Sequence, residues 1–222
     1  MSASTALGSY TLYVPQDWFD LLEDGSDRER TRSRCTEMVS LAYPTVTPER
    51  QAEFVDALMA WHESLLASGT ILYGIASGPM PEDADAIANW QVMAGVVDVP
   101  TVSEELDIGS LLAAAYGSQT DEPSYQESFT TDLGIGFGFI TQSTIRTGPD
   151  DETAQSAEIG LAGALTCPPG GGKGILFIGV SLDPRHVVEL AGLLALMAHH
   201  SALGDPIEPI KATRLSPQEP TP

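Results

Sequence analysis

Two stretches in which bulky side chains alternate with very small ones constrain the fold of this chain most. Leu133, Ile135, Phe137 and Phe139 alternate with Gly134, Gly136 and Gly138, and further on Ile159, Leu161 and Leu165 alternate with Gly160, Ala162 and Ala164. A period of two is that of a strand, so each stretch has one bulky face and one small face. Glycine weakens a strand unless another element must approach closely. The small face therefore predicts a tightly packed helix. Ile175 to Leu182 is apolar on both faces, as in a central strand. The connections 147–154 and 168–173 are short and rich in turn formers, so the three strands form an antiparallel meander. Asp183 and Pro184 start a final helix, apolar nearly all round, that ends near Gly204. We place it on the glycine face, mostly buried.

Upstream, Tyr10, Leu12 and Val14 read as a first strand ending at Pro15, and Pro15, Asp17 and Trp18 turn the chain. Ser26 with Glu29 forms a capping box for a helix running to about Ala42, with Cys35, Met38, Val39 and Ala42 as its apolar stripe. Thr47 and Pro48 open a second helix that ends at Ser68-Gly69. Its wide stripe holds Phe54, Val55, Leu58, Met59, Trp61, Leu65 and Leu66. Thr70 to Ala76 reads as a buried strand and Trp90 to Val99 as the next. A loop with Pro79, Pro81, Glu82, Asp83 and Asp85 separates them, and Ser103 caps a short helix to Tyr116. The expected architecture is α+β: a single domain over 1–204, mainly antiparallel, with a C-terminal three-strand meander and flanking helices. The proline-rich segment 205–222 reads as a disordered tail.

Charge narrows the function classes. The net charge is −21, from 31 acidic against 10 basic residues. A field of that sign repels nucleic-acid backbones and anionic membrane surfaces, and favours cationic partners. Met1 to Val14 has neither a basic nor an apolar leader region, and Val187 to Leu203 falls short of a membrane span. A cytoplasmic protein is the expectation, with neither nucleic acid nor membrane as partner. Two lysines against eight arginines, with abundant Ala, Gly and Asp, suggest a GC-rich, actinobacterial genome.

The apparent motifs do not carry chemistry. Gly170-Gly171-Gly172-Lys173 resembles a phosphate loop. However, Cys167 stands where that pattern needs its first glycine, Gly174 stands where it needs Ser or Thr, and a strand follows instead of a helix. We read a hairpin turn. Gly134, Gly136 and Gly138 lie inside a strand with the third glycine one residue early, which excludes a dinucleotide fingerprint. Cys35 and Cys167 have no C-x-x-C partners, and His62, His186, His199 and His200 have no ligand spacing. We assign no catalytic residue, no metal and no cofactor. Two groups remain. Arg28, Arg30, Arg32 and Arg34 concentrate positive charge on the first helix; they read either as a solvated face paired with Asp20, Glu23, Asp24, Asp27 and Glu29, or as a partner-docking site. His62, Trp61, Trp90 and Tyr73 are candidates for a pocket between sheet and helices.

Val14-Pro15-Gln16-Asp17-Trp18, the Arg-rich helix and Leu65-Leu66-Ala67-Ser68-Gly69-Thr70-Ile71-Leu72-Tyr73 resemble a group of uncharacterised actinobacterial proteins of about this length. The layout is also similar to the Mog1/PsbP-type sandwich, in which helices flank an antiparallel sheet. That resemblance implies a binding module. The function expected first is a non-enzymatic protein-interaction module, an adaptor or accessory protein whose partner is another protein. The alternatives are a small-molecule binder or enzyme using the pocket, and a structural subunit of a homo-oligomer.

Overall fold

The computed structural model describes residues 10–15, 18–79, 87–99, 125–147, 155–168 and 170–203. Within them lie strands β1 (Tyr10–Thr11), β2 (Phe19–Asp20), β3 (Thr70–Pro79), β4 (Ile87–Val99), β5 (Tyr125–Thr131), β6 (Gly134–Thr147), β7 (Gln155–Cys167), β8 (Gly172–Ser181) and β9 (Ala202–Leu203). The helices are α1 (Arg28–Ala42), α2 (Pro48–Ala67) and α3 (Val187–His200), the last preceded by a single 3-10 turn, Pro184–His186. Seven strands form one antiparallel sheet in the order β2-β3-β4-β8-β7-β6-β5, and β1 pairs separately with β9. The fold is α+β. Among the described residues no helix is long and apolar enough to cross a membrane.

The meander β6-β7-β8 forms as expected, with β8 central between β4 and β7. The Gly170–Lys173 segment is its hairpin turn. Gly171 and Gly172 have φ of 72° and 109°, a region only glycine enters readily, and the Gly171 N–H donates to the Pro168 carbonyl at 2.9 Å. Register fixes the faces, because directly paired residues share one. Gly160 pairs with Ser181, Ala162 with Gly179 and Ala164 with Phe177, and this is the face on which α3 lies. A Cβ at Gly160 would stand 2.6 Å from the Val187 Cβ, and one at Gly179 would stand 2.9 Å from the Leu190 Cδ2. The helix thus seats in notches cut into β7 and β8. On β6 the outcome differs: the space over Gly136 is filled by the Phe129 ring of β5, not by the helix.

Five other expectations need correcting. The first helix is capped by Asp27 rather than Ser26: the Asp27 carboxylate accepts from the Arg30 N–H at 3.1 Å, one residue closer to the helix than the capping box required. The α1 stripe is Thr31, Cys35 and Val39, at a strict spacing of four, while Ala42 is exposed. The N-terminal strand is only two residues long and joins β9, outside the main sheet. The final helix is buried on one side only, through Val187, Leu190, Leu194, Met197 and Ala198, and ends at His200. Strand β5 was not expected, because its sequence, Tyr-Gln-Glu-Ser-Phe-Thr-Thr, is that of an exposed sheet edge. The α2 limits do match, from the Thr47 N-cap to Gly69 at φ 79°. The helix expected over 103–116, most of the loop after Pro79 and the tail 205–222 lie outside the described residues.

Candidate functional site

The other side of the sheet carries the candidate site, and α1 and α2 cover only part of it. Their shared core joins Cys35, Val39, Val55, Met59 and Leu65 to Leu21, Leu22 and Tyr73, with Ile75 and Met93 at its border. This places the helix pair over β2, β3 and the near half of β4.

All four arginines of α1 are engaged by carboxylates of the same chain. Arg30 and Arg34 reach the loop before the helix, where Asp24 meets the Arg30 Nε at 3.1 Å and the Arg34 Nη1 at 2.9 Å. The Asp24 side chain is only 4% exposed, whereas Arg30 is 75% exposed, so the clamp is a buried carboxylate met from the surface. Arg34 also pairs with Glu23 at 2.6 Å and stacks over the Phe19 ring. On the opposite flank Arg28 pairs with Glu63 and Arg32 with Asp56, both on α2. Glu23 and Asp24 were among the expected partners; Asp56 and Glu63 were not. The arginine row sews α1 to its own loop and to α2.

Of the four pocket candidates, three lie on this side. The half-exposed Trp61 of α2 meets Tyr73 of β3 edge to face, with ring centroids 6.0 Å apart. The Tyr73 hydroxyl donates to the Gln91 Oε1 at 2.8 Å, and burial pushes its phenol up despite a hydrogen bond with Trp61. His62 is buried, with its Nε2 2.9 Å from the Gly25 carbonyl. A carbonyl can only accept, so Nε2 carries the proton and Nδ1 is an acceptor, left without a partner. Trp90 stands apart. Its neighbour Gln91 faces α2, so Trp90 points to the α3 side, where it packs into the other core with its indole N–H unpartnered.

Beyond Tyr73 the sheet continues as an apolar floor. One row runs Tyr73, Met93, Ile178, Gly163 and Phe139 across β3-β4-β8-β7-β6. A second runs Leu176, Leu165 and Phe137, and a third Val180 and Leu161. The clusters formed here contain strand side chains only, and among the described residues no helix packs on the β6-β7-β8 part of this face. An antiparallel sheet that faced water would alternate apolar with polar side chains; this one is apolar on both faces. The signal was present in the bulky faces of the two glycine-laced strands. Gln91 was missed because a lone glutamine within an apolar strand has no periodicity of its own.

Neither thiol suits nucleophilic chemistry. Burial pushes the Cys167 thiol up to about 11 and raises that of Cys35 as well, whereas a reactive cysteine needs a lowered value. Among the described residues no cluster of His, Cys, Asp and Glu could hold a metal ion. The site therefore offers apolar contact, an aromatic rim and a few hydrogen-bonding groups. No family model matches the chain, and no curated protein matches it either.

Proposed function

We propose that this chain is a non-enzymatic protein-interaction module, an adaptor or accessory protein, which receives an apolar segment of its partner on the β6-β7-β8 face beside Trp61. One observation carries this reading: on the apolar β6-β7-β8 face, Phe137, Leu161, Leu176 and Val180 stay partly exposed beside the buried Phe139, Leu165 and Ile178, in clusters made of strand side chains. Burying apolar surface stabilises a complex by about 25 cal/mol per Å², and the exposed indole of Trp61 suits a contact of that kind. The net charge of −21 favours a partner with basic residues flanking its apolar segment. The arginines of α1 support the module's shape and are not its docking site.

The test is affinity capture from the native cytoplasm with wild type, Leu161→Arg and Trp61→Ala baits, read by quantitative mass spectrometry. One partner held near one-to-one by wild type and lost at least tenfold by both variants, at unchanged melting temperature, is the expected outcome. Equal capture by all three baits sinks the reading.

The Trp61–Tyr73–Gln91 corner favours a second reading, a small-molecule binder, because it sets a phenol and an amide beside an exposed indole. A metabolite that raises the melting temperature of wild type but not of Tyr73→Phe would favour it over the first.

A further inference from the structure

The outer side of α3 poses a separate problem. A helix that is apolar all round normally lies buried all round, yet Val188 is 64% exposed and Leu196 is 42% exposed. With Gly192 between them these residues recur every four positions, so they form one ridge. His200 and the ring of Tyr13, 5.5 Å from it, continue the ridge. From Val188 to His200 the ridge is about 18 Å long at 1.5 Å per residue. A Cβ placed at Gly192 meets nothing within 4 Å, so the ridge carries a notch at its middle. Glu189 is the one carboxylate along the helix, and His199 and His200 sit at its far end.

We infer that this ridge is a self-association surface on which two copies of the chain pair their α3 helices antiparallel. The geometry is self-complementary. When Leu196 of one copy seats in the Gly192 notch of the other, Glu189 comes level with the opposing His199 and Val188 with the opposing His200. The single carboxylate of the helix then comes level with an imidazole, beside which the exposed Asp132 stands with its N–H on the His199 carbonyl. Charge selects the occupant. A chain of net charge −21 repels its own copies almost everywhere, and this ridge is an apolar strip on which they can meet without stacking acids. An anionic lipid surface is repelled by the same field, and among the described residues a basic protein would find only Glu189 on the helix and Asp132 beside its end to attract it. This inference stands apart from the proposed docking face, which lies on the other side of the sheet.

Sedimentation velocity of the full chain over a hundredfold concentration range tests it. The mass is expected to rise from one chain towards two. Gly192→Glu fills the notch with charge, its Cβ meets nothing within 4 Å, and it replaces glycine by a better helix former. It should therefore hold the protein monomeric without lowering its melting temperature. Leu196→Glu should do the same, and Glu189→Lys should shift self-association to at least tenfold higher concentration. A wild type that keeps the mass of one chain throughout overturns the inference, as does a dimer that survives Gly192→Glu. Because the Leu161→Arg bait leaves α3 intact, loss of partner capture and loss of self-association are distinguishable.

Discussion

The two faces of the sheet are covered by opposite means. On one, α3 settles into hollows left by Gly160 and Gly179, and the contact is made by carbon against carbon with no charged side chain between them. On the other, α1 is among the most polar parts of the molecule, with only three buried residues, and is held by carboxylates on both flanks. The first arrangement depends on shape and tolerates no added volume. The second adds ion pairs on both flanks to a smaller apolar core, and extends only as far as β4. Among the described residues the helix pair reaches no further across the sheet than β4, and the clusters on β6-β7-β8 are made by strand side chains.

Four substitutions test this contrast, in falling order of destabilisation. Gly179→Val drives a branched side chain into Leu190 and Leu194, and overpacking of this kind costs about 3 kcal/mol; a denaturant midpoint equal to that of wild type would show that α3 is not seated as described. Asp24→Ala leaves Arg30 and Arg34 without their shared, screened carboxylate, and should cost about 2 kcal/mol. Glu63→Ala, which breaks an exposed pair, should cost less than about 0.5 kcal/mol by the same titration. If the two losses are equal, the clamp at Asp24 holds nothing the surface pairs do not. Gly95→Ala should instead raise stability, by about 0.5 kcal/mol. Its added Cβ meets nothing within 4 Å, and alanine restricts the unfolded chain.

The sequence was most legible where local pattern and tertiary demand agreed. The small face of β7 predicts a close helix and receives one, and Thr47-Pro48 and Ser68-Gly69 bound α2 as their chemistry requires. The failures have physical causes. At the start of α1, Ser26 and Asp27 are both good N-cap residues, and only the backbone decides which carries the cap. Strand β5 gave no signal, since an edge strand with little to bury needs no alternation. For β1, the partner lies 191 positions away along the chain, between Thr11 and Ala202, and no local pattern encodes that. For the candidate site, Trp61 and Tyr73 were identifiable as aromatic residues on adjoining elements. Trp90 was not separable from them, because one residue of strand parity decides the face and the sequence does not say which face turns towards α2. The acids Asp56 and Glu63 escaped notice because pairing them with Arg32 and Arg28 requires knowing that α1 and α2 lie side by side.

The sheet order carries one more consequence. Strands β2, β3 and β4 come from residues 19–99, strands β5 to β8 from 125–181, and only the β4–β8 ladder joins the two groups. The chain is thus a pair of sequence-contiguous half-sheets zipped along one seam, from Trp90–Ser181 to Val99–Gly172. Within the main sheet each half completes its other pairings on its own, so the seam is the one that closes a loop between the halves. A polypeptide cut anywhere in 100–124 keeps every described ladder within one piece except that seam and the short β1–β9 pair. The molecule is in this sense a heterodimer of its own halves, suited to reassembly from two separately made fragments.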